Sequence, residues 1–372
     1  MRKHWLDNLR WVTVLSVLFY HVIYFYNNKG VFGGIGGFGG TQYQDIVMYA
    51  LYPWFMMLMF LVAGISSRYS LEKLSSKDFF KSRTRKLLVP ATLGLFFFQW
   101  ITGYFNSQVT EYAMGSSLLP EEMPVFIKYF IYSISGIGPL WFVQDLWLFS
   151  LILVLIRKFD KKDKLCQVCG KIGFIPILLL GVLLYVGSFT LIENPRAESL
   201  DGLLNLYKPL NYFIPFLMGY FVFSHDKVHE ILGKYSLYLI SIAVILGTLL
   251  TITTFGQDNT SPQYLQSPMN ILYAWFMILG LLGVFYRYFN YTNGFATYMT
   301  KSSFGLYVVH YVVIASFGYM MKVHTSLPVF AMYAILTLAV FVLSPLLNEV
   351  LRRIPIVNYC VLGIKQTPTL RK

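Results

Sequence analysis

Two ionisable residues stand inside the first apolar stretch of the chain, Trp5 to Tyr26. Arg10 and His21 are eleven residues apart. On an α-helix eleven steps turn about 1,100°, within roughly 20° of three full turns, and advance about 16 Å. Both side chains therefore share a face, and Asp7 joins them one turn before Arg10. If the helix enters a membrane near Leu9, Arg10 lies at the lipid–water boundary and His21 near mid-depth. A titratable group so placed is costly and marks a functional site by default. Neutral imidazole there can take a proton from a hydroxyl, which is general-base chemistry. The plainer alternative is a buried histidine bonded to a neighbouring helix.

Three further groups carry chemistry. Arg83, Arg85 and Lys86 form a cationic cluster just before an apolar run. Guanidinium groups bind phosphates in bidentate fashion, although a cluster at that position also serves as an ordinary membrane anchor. Asp145 follows Trp141 by four residues, about one turn into another apolar run. It reads as a partner for His21 or for an arginine, or as half of a structural ion pair. His310 closes the stretch that begins at Lys301. The Ser and Gly residues of that stretch suit close helix packing, and on its chemistry alone His310 is a packing or hydrogen-bonding histidine.

Other motifs are weaker. Cys166 and Cys169 make one Cys-x-x-Cys, and with three cysteines in the chain there is neither a second half-site nor a disulfide framework. The pair reads as incidental, and no metal is expected. The Gly-rich stretch Lys29 to Gly40 lacks the Lys-Ser/Thr ending of a phosphate loop, and no strand precedes it. It reads as a loop at the membrane surface.

The elements that must position these groups follow from composition. Charged residues make up 13% of the 372 and hydrophobic residues 56%, whereas about a quarter of a soluble protein is charged. With a mean hydropathy of +0.57 and repeated apolar runs of about 20 residues, the chain reads as an all-α, polytopic transmembrane bundle. No cleavable signal peptide and no appended soluble domain are expected, so residues 1–372 form one integral membrane domain. About ten spans are predicted, near 8–27, 45–67, 87–105, 139–157, 172–192, 207–224, 235–254, 268–288, 302–321 and 328–351. An amphipathic or re-entrant stretch is expected over 125–135, broken by Gly136-Ile137-Gly138-Pro139.

Topology accounts for the net charge of +13. Of the 30 Lys and Arg, 25 fall in 1–10, 68–86, 157–171, 227–234, 287–301 and 352–372, on the side of the termini. Only Lys29, Lys128, Arg196, Lys208 and Lys322 fall on the other side. The bias places both termini in the cytoplasm. The charge is thus a topology signal, and nucleic acid is not an expected partner.

Leu6-Asp7-Asn8-Leu9-Arg10 followed by His21 resembles the opening signature of the acyltransferase 3 family, an Arg-x10-His motif on its first helix. Gly138-Pro139-Leu140-Trp141-Phe142-Val143 resembles that family's Leu-Trp-Phe segment. Ser303-Phe304-Gly305-Leu306-Tyr307-Val308-Val309-His310 is similar to its late Ser-x-x-(Ile/Leu)-Tyr-x-x-His segment. Order, spacing and the ten-span layout agree over essentially the whole chain. One departure concerns the Arg-x-x-Arg that often precedes the third span. Here the stretch is Arg83-Thr84-Arg85-Lys86, so Lys86 occupies the second position if Arg83 is the first, and the cations that meet phosphate are drawn from Arg83, Arg85 and Lys86.

The resemblance implies an integral membrane enzyme that takes an acyl group from cytoplasmic acyl-CoA to an extracytoplasmic hydroxyl, usually of a glycan. The donor would be acetyl-CoA or succinyl-CoA. Its nucleotide end would meet Arg83, Arg85 and Lys86, with Arg10, and its arm would thread between helices toward His21. His21 would be the catalytic base and Asp145 the group that orients it. Asp7, Trp141, Tyr307 and His310 would support the substrates or the site. A bacterial plasma membrane is the implied location. Two other classes are weighed against this: a transporter or flippase for a glycan or lipid-linked precursor, and a membrane sensor or assembly subunit without chemistry. A transporter would show duplicated halves with broken helices at matching positions, and none is evident.

Overall fold

In the computed structural model the described residues are 2–28, 34–39, 41–117, 119–160, 162–191 and 207–365. Among them every regular element is helical. Seven helices are long and apolar enough to cross a membrane. They are α1 (His4–Phe25), α2 (Ile46–Leu71), α3 (Trp141–Phe159), α4 (Asp226–Thr254), α5 (Pro268–Tyr288), α6 (Gly294–His324) and α7 (Val329–Arg353). An all-helical polytopic bundle is thus what the structure displays. The expected Gly-rich loop lies outside the described residues at 29–33 and 40, as do Lys29, Arg196 and the tail from 366.

The other three expected spans fall on shorter or interrupted helices. The third begins with a π-helical turn, Thr84–Leu88, then loses helical form through 89–92 and resumes as a second π-turn, Leu95–Gln99. Pro90 sits in the gap, where its missing N–H and its ring oppose a continuous ladder. The α-helix Trp100–Met114 follows. The stretch near 172–192 splits into Phe174–Leu179 and Gly181–Ser188. At Gly181 a Cβ would come within 2.6 Å of the Trp275 ring, so a larger residue could not make that approach. The helix Pro209–Phe221 spans 13 residues. The expected stretch over 125–135 is a helix, Val125–Ser135, ended by Gly136 with Gly138 at φ +42°.

The chain divides into two compact units, drawn from interleaved segments. The first comprises Met1–Ser16, Ile46–Phe79 and Leu148–Lys301. Within it α4 packs along α5, and α2 packs along the helix Pro209–Phe221. Small residues permit that closeness: a Cβ on Gly64 would lie 2.0 Å from the Phe216 carbonyl, and one on Gly219 2.0 Å from the Leu61 carbonyl. Where lipid is as apolar as leucine, such close backbone approach is what drives helix pairing. The start of α1 is clasped by the turn after α5, because Asn8 donates to the Phe289 carbonyl (2.7 Å) and the Tyr291 carbonyl (2.8 Å).

The second unit comprises Val17–Asp45, Phe80–Trp147 and Ser302–Lys372. Here Gly103 meets the Tyr132 carbonyl so closely that a Cβ would stand 1.8 Å from it. Gly94 approaches the Cys360 carbonyl, and Gly363 approaches the Arg85 carbonyl and Lys86. The helix Pro355–Leu362 and the cap that follows it therefore lie against the interrupted segment that carries the cations.

Candidate active site

The second unit gathers four of the groups singled out in the sequence: His21, Asp145, the 303–310 stretch and the cationic cluster. His21 lies one turn before the end of α1, which starts at His4 and stops at Phe25. Along the helix it is therefore nearer the C-terminal end, with Asp7 in the first turn.

His21 Nδ1 stands 2.9 Å from the Val17 carbonyl and 3.3 Å from His310 Nε2. His310 is fully buried, and its Nδ1 stands 2.7 Å from the Tyr307 carbonyl. Carbonyl oxygens only accept, so the proton of each neutral ring sits on Nδ1. His310 Nε2 is then an acceptor facing His21 Nδ1–H, which donates to Val17 and toward His310 together. His21 Nε2 is left as a lone pair with no hydrogen-bond partner among the described residues. Tyr311, Tyr20 and Tyr24 surround the ring at centroid distances of 5.4, 5.3 and 5.9 Å. His21 itself is partly exposed.

The two later motifs meet directly. Tyr307 Oη donates to the Pro139 carbonyl at 2.5 Å, and the Phe142 and Tyr307 rings lie 5.4 Å apart. Gln99 donates to the Val308 carbonyl at 2.8 Å, tying the second π-turn to α6. Trp141 is partly buried beside Phe142. Asp145 is 4% exposed, within electrostatic reach of Tyr307, and its Oδ2 has no hydrogen-bond partner. It makes no hydrogen bond to His21. The contacts of the His21 ring nitrogen Nδ1 are with the Val17 carbonyl, one turn back on the same helix, and with His310.

In the cationic cluster Arg83 and Arg85 are half-buried and Lys86 is exposed. Arg85 Nε is buried without a hydrogen-bond partner, an unmet donor on a positive group. Arg10 belongs to the first unit, where it donates to Asp7 Oδ1 at 3.2 Å and to the Ser66 hydroxyl at 2.6 Å. Asp7 also accepts from Arg2 at 2.7 Å. The alignment of Asp7 with Arg10 is thus an ion pair.

The cysteine motif has more company than its sequence suggests. Cys166 is buried with its Sγ 3.3 Å from His225 Nε2. Burial pushes its thiol above the ordinary range, so it is a poor nucleophile despite the imidazole beside it. Among the described residues no group of three or more His, Cys, Asp or Glu side chains could hold a metal ion.

These features define an all-helical membrane protein with a histidine pair and a cationic cluster in one compact unit. A family model described as an acyltransferase domain matches residues 3–348, nearly the whole chain. The chain belongs to the acyltransferase 3 family and is a membrane acyltransferase. No match is found among curated proteins or among solved structures.

Proposed function

We propose that the enzyme moves an acyl group, acetyl or succinyl, from cytoplasmic acyl-CoA to a hydroxyl of an extracytoplasmic glycan or other cell-envelope acceptor. The observation that carries this reading is the uncommitted Nε2 of His21, on a ring whose Nδ1–H is held by Val17 and faces His310. A neutral imidazole fixed in that tautomer is a general base. It takes the acceptor's hydroxyl proton as the oxygen attacks the thioester carbon, the C–S bond breaks, and the CoA thiolate leaves. Such catalysis is worth about 10² to 10⁴ in rate.

The 3′-phospho-ADP end of the donor is assigned to Arg83, Arg85 and Lys86. Support comes from the buried, unmet Nε of Arg85 and from the strength of charge-assisted bonds between guanidinium and phosphate. Arg10 is retained as a candidate for the same role, with its guanidinium already held by Asp7 and Ser66. The basic bias of the segments flanking the spans supports cytoplasmic termini, and a bacterial plasma membrane is the setting that the family resemblance implies. The test is coenzyme A release by purified protein in lipid. Acceptor-dependent release supports the reading, and transport of a glycan without thioester consumption would replace it.

A further inference from the structure

Asp145 holds a buried carboxyl oxygen without a partner, in the same compact unit as the cations and His21. Such an atom loses its hydration and gains nothing in return, so it calls for a donor that arrives from elsewhere. Its neighbours show where that donor would come from. Gln144, one residue before, donates to the Ala91 carbonyl at 3.1 Å, and Trp147, two residues after, donates to the Thr84 hydroxyl at 3.1 Å. The first turns of α3 therefore lie against the interrupted segment 84–91, which carries Arg85 and Lys86. Asp145 is also within electrostatic reach of Tyr307. One turn further along α6, His310 meets His21. Asp145 is thus linked through its own helix to the cationic segment and through Tyr307 to the helix that carries His310.

We propose that Asp145 is a binding residue for the donor's pantetheine arm, accepting a hydrogen bond from one of its amide N–H groups. This rests on the acyl-CoA reading above. A molecule anchored by phosphate at Arg85 and presenting its thioester to His21 would run along the elements that Asp145 links. The arm is the only part of that donor that combines an extended shape with amide donors. The bond would fix the arm's depth and so the position of the thioester carbonyl. It also accounts for the lack of a hydrogen-bond partner at Oδ2 among the described residues, because a pre-formed partner would compete with the ligand. Asp145 is a positioning group for the donor and leaves the tautomer of His21 to Val17 and His310.

The experiment is direct binding to the full chain in lipid nanodiscs, with two probes: acetyl-CoA, and adenosine 3′,5′-bisphosphate, which lacks the arm. Asp145→Leu should weaken acetyl-CoA about 10- to 100-fold, the scale of a lost hydrogen bond to a charged group, and leave the bisphosphate unchanged. Asp145→Asn preserves shape and guards against a folding defect, and it should weaken acetyl-CoA alone, by less. If both variants bind both probes as wild type does, the assignment is overturned while the acyl-CoA reading stands. If both probes weaken together, Asp145 is structural and the assignment is again overturned. If wild type binds neither probe, the acyl-CoA reading fails and takes this inference with it.

Discussion

His310 Nε2 faces His21 Nδ1 at 3.3 Å, although the two residues are 289 positions apart in the chain. Because His310 spends its own Nδ1–H on the Tyr307 carbonyl, it presents an acceptor to its neighbour. A His21 ring with its proton on Nε2 would place two lone pairs opposite each other at that contact and lose the side-chain bond to the Val17 carbonyl. The pair is therefore a device for keeping one tautomer.

His310→Ala should lower kcat by about 10- to 100-fold, the worth of one buried hydrogen bond, with the KM for donor nearly unchanged. Steady-state kinetics check this. An unchanged kcat would mean that Val17 alone holds the tautomer. His310→Gln can accept a hydrogen bond through its amide oxygen and should recover part of the loss, which a merely space-filling role would not produce.

Arg85→Ala should raise the KM for acyl-CoA by roughly 10- to 100-fold, because the lost bond is charge-assisted. The effect should vanish with acyl-pantetheine, which has no nucleotide end. An equal rise for both donors would show instead that Arg85 shapes the contact with Gly363.

The paths from residue type to structure were unequal in length. The seven long helices and the shared helix of Arg10 and His21 were legible, because hydropathy and the 3.6-residue period are local properties. The alignment of Asp7 with Arg10 was equally local and became an ion pair. The interrupted segment 84–99 reads as an ordinary span in hydropathy, although Pro90 is a visible breaker. The contacts of His21 with His310 and of Tyr307 with Pro139 are tertiary, and no spacing within one helix reveals them. Asp145 is buried and makes no hydrogen bond to His21, a relation between distant helices that spacing along the chain does not specify. Asn8 is quoted in the family signature, yet its clasp on 289–291 depends on a turn far along the chain.

Gly103→Ala should destabilise the protein by about 1 to 3 kcal/mol, the cost of forcing atoms into a filled space. The atom its Cβ would meet is the Tyr132 carbonyl oxygen, 1.8 Å away, and backbone cannot turn aside as a side chain can. Thermal unfolding in detergent, followed by tryptophan fluorescence, measures it. A melting temperature equal to wild type would show that the helices Trp100–Met114 and Val125–Ser135 separate at little cost.

The most direct measurement is coenzyme A release from acetyl-CoA and succinyl-CoA by purified protein in lipid, wild type beside His21→Ala, with cell-envelope glycans as acceptors. The expected result is acceptor-dependent release by wild type and a fall of about 10² to 10⁴ in the variant, which should still bind acetyl-CoA. Release by His21→Ala at the wild-type rate would contradict the assignment of His21 as the base.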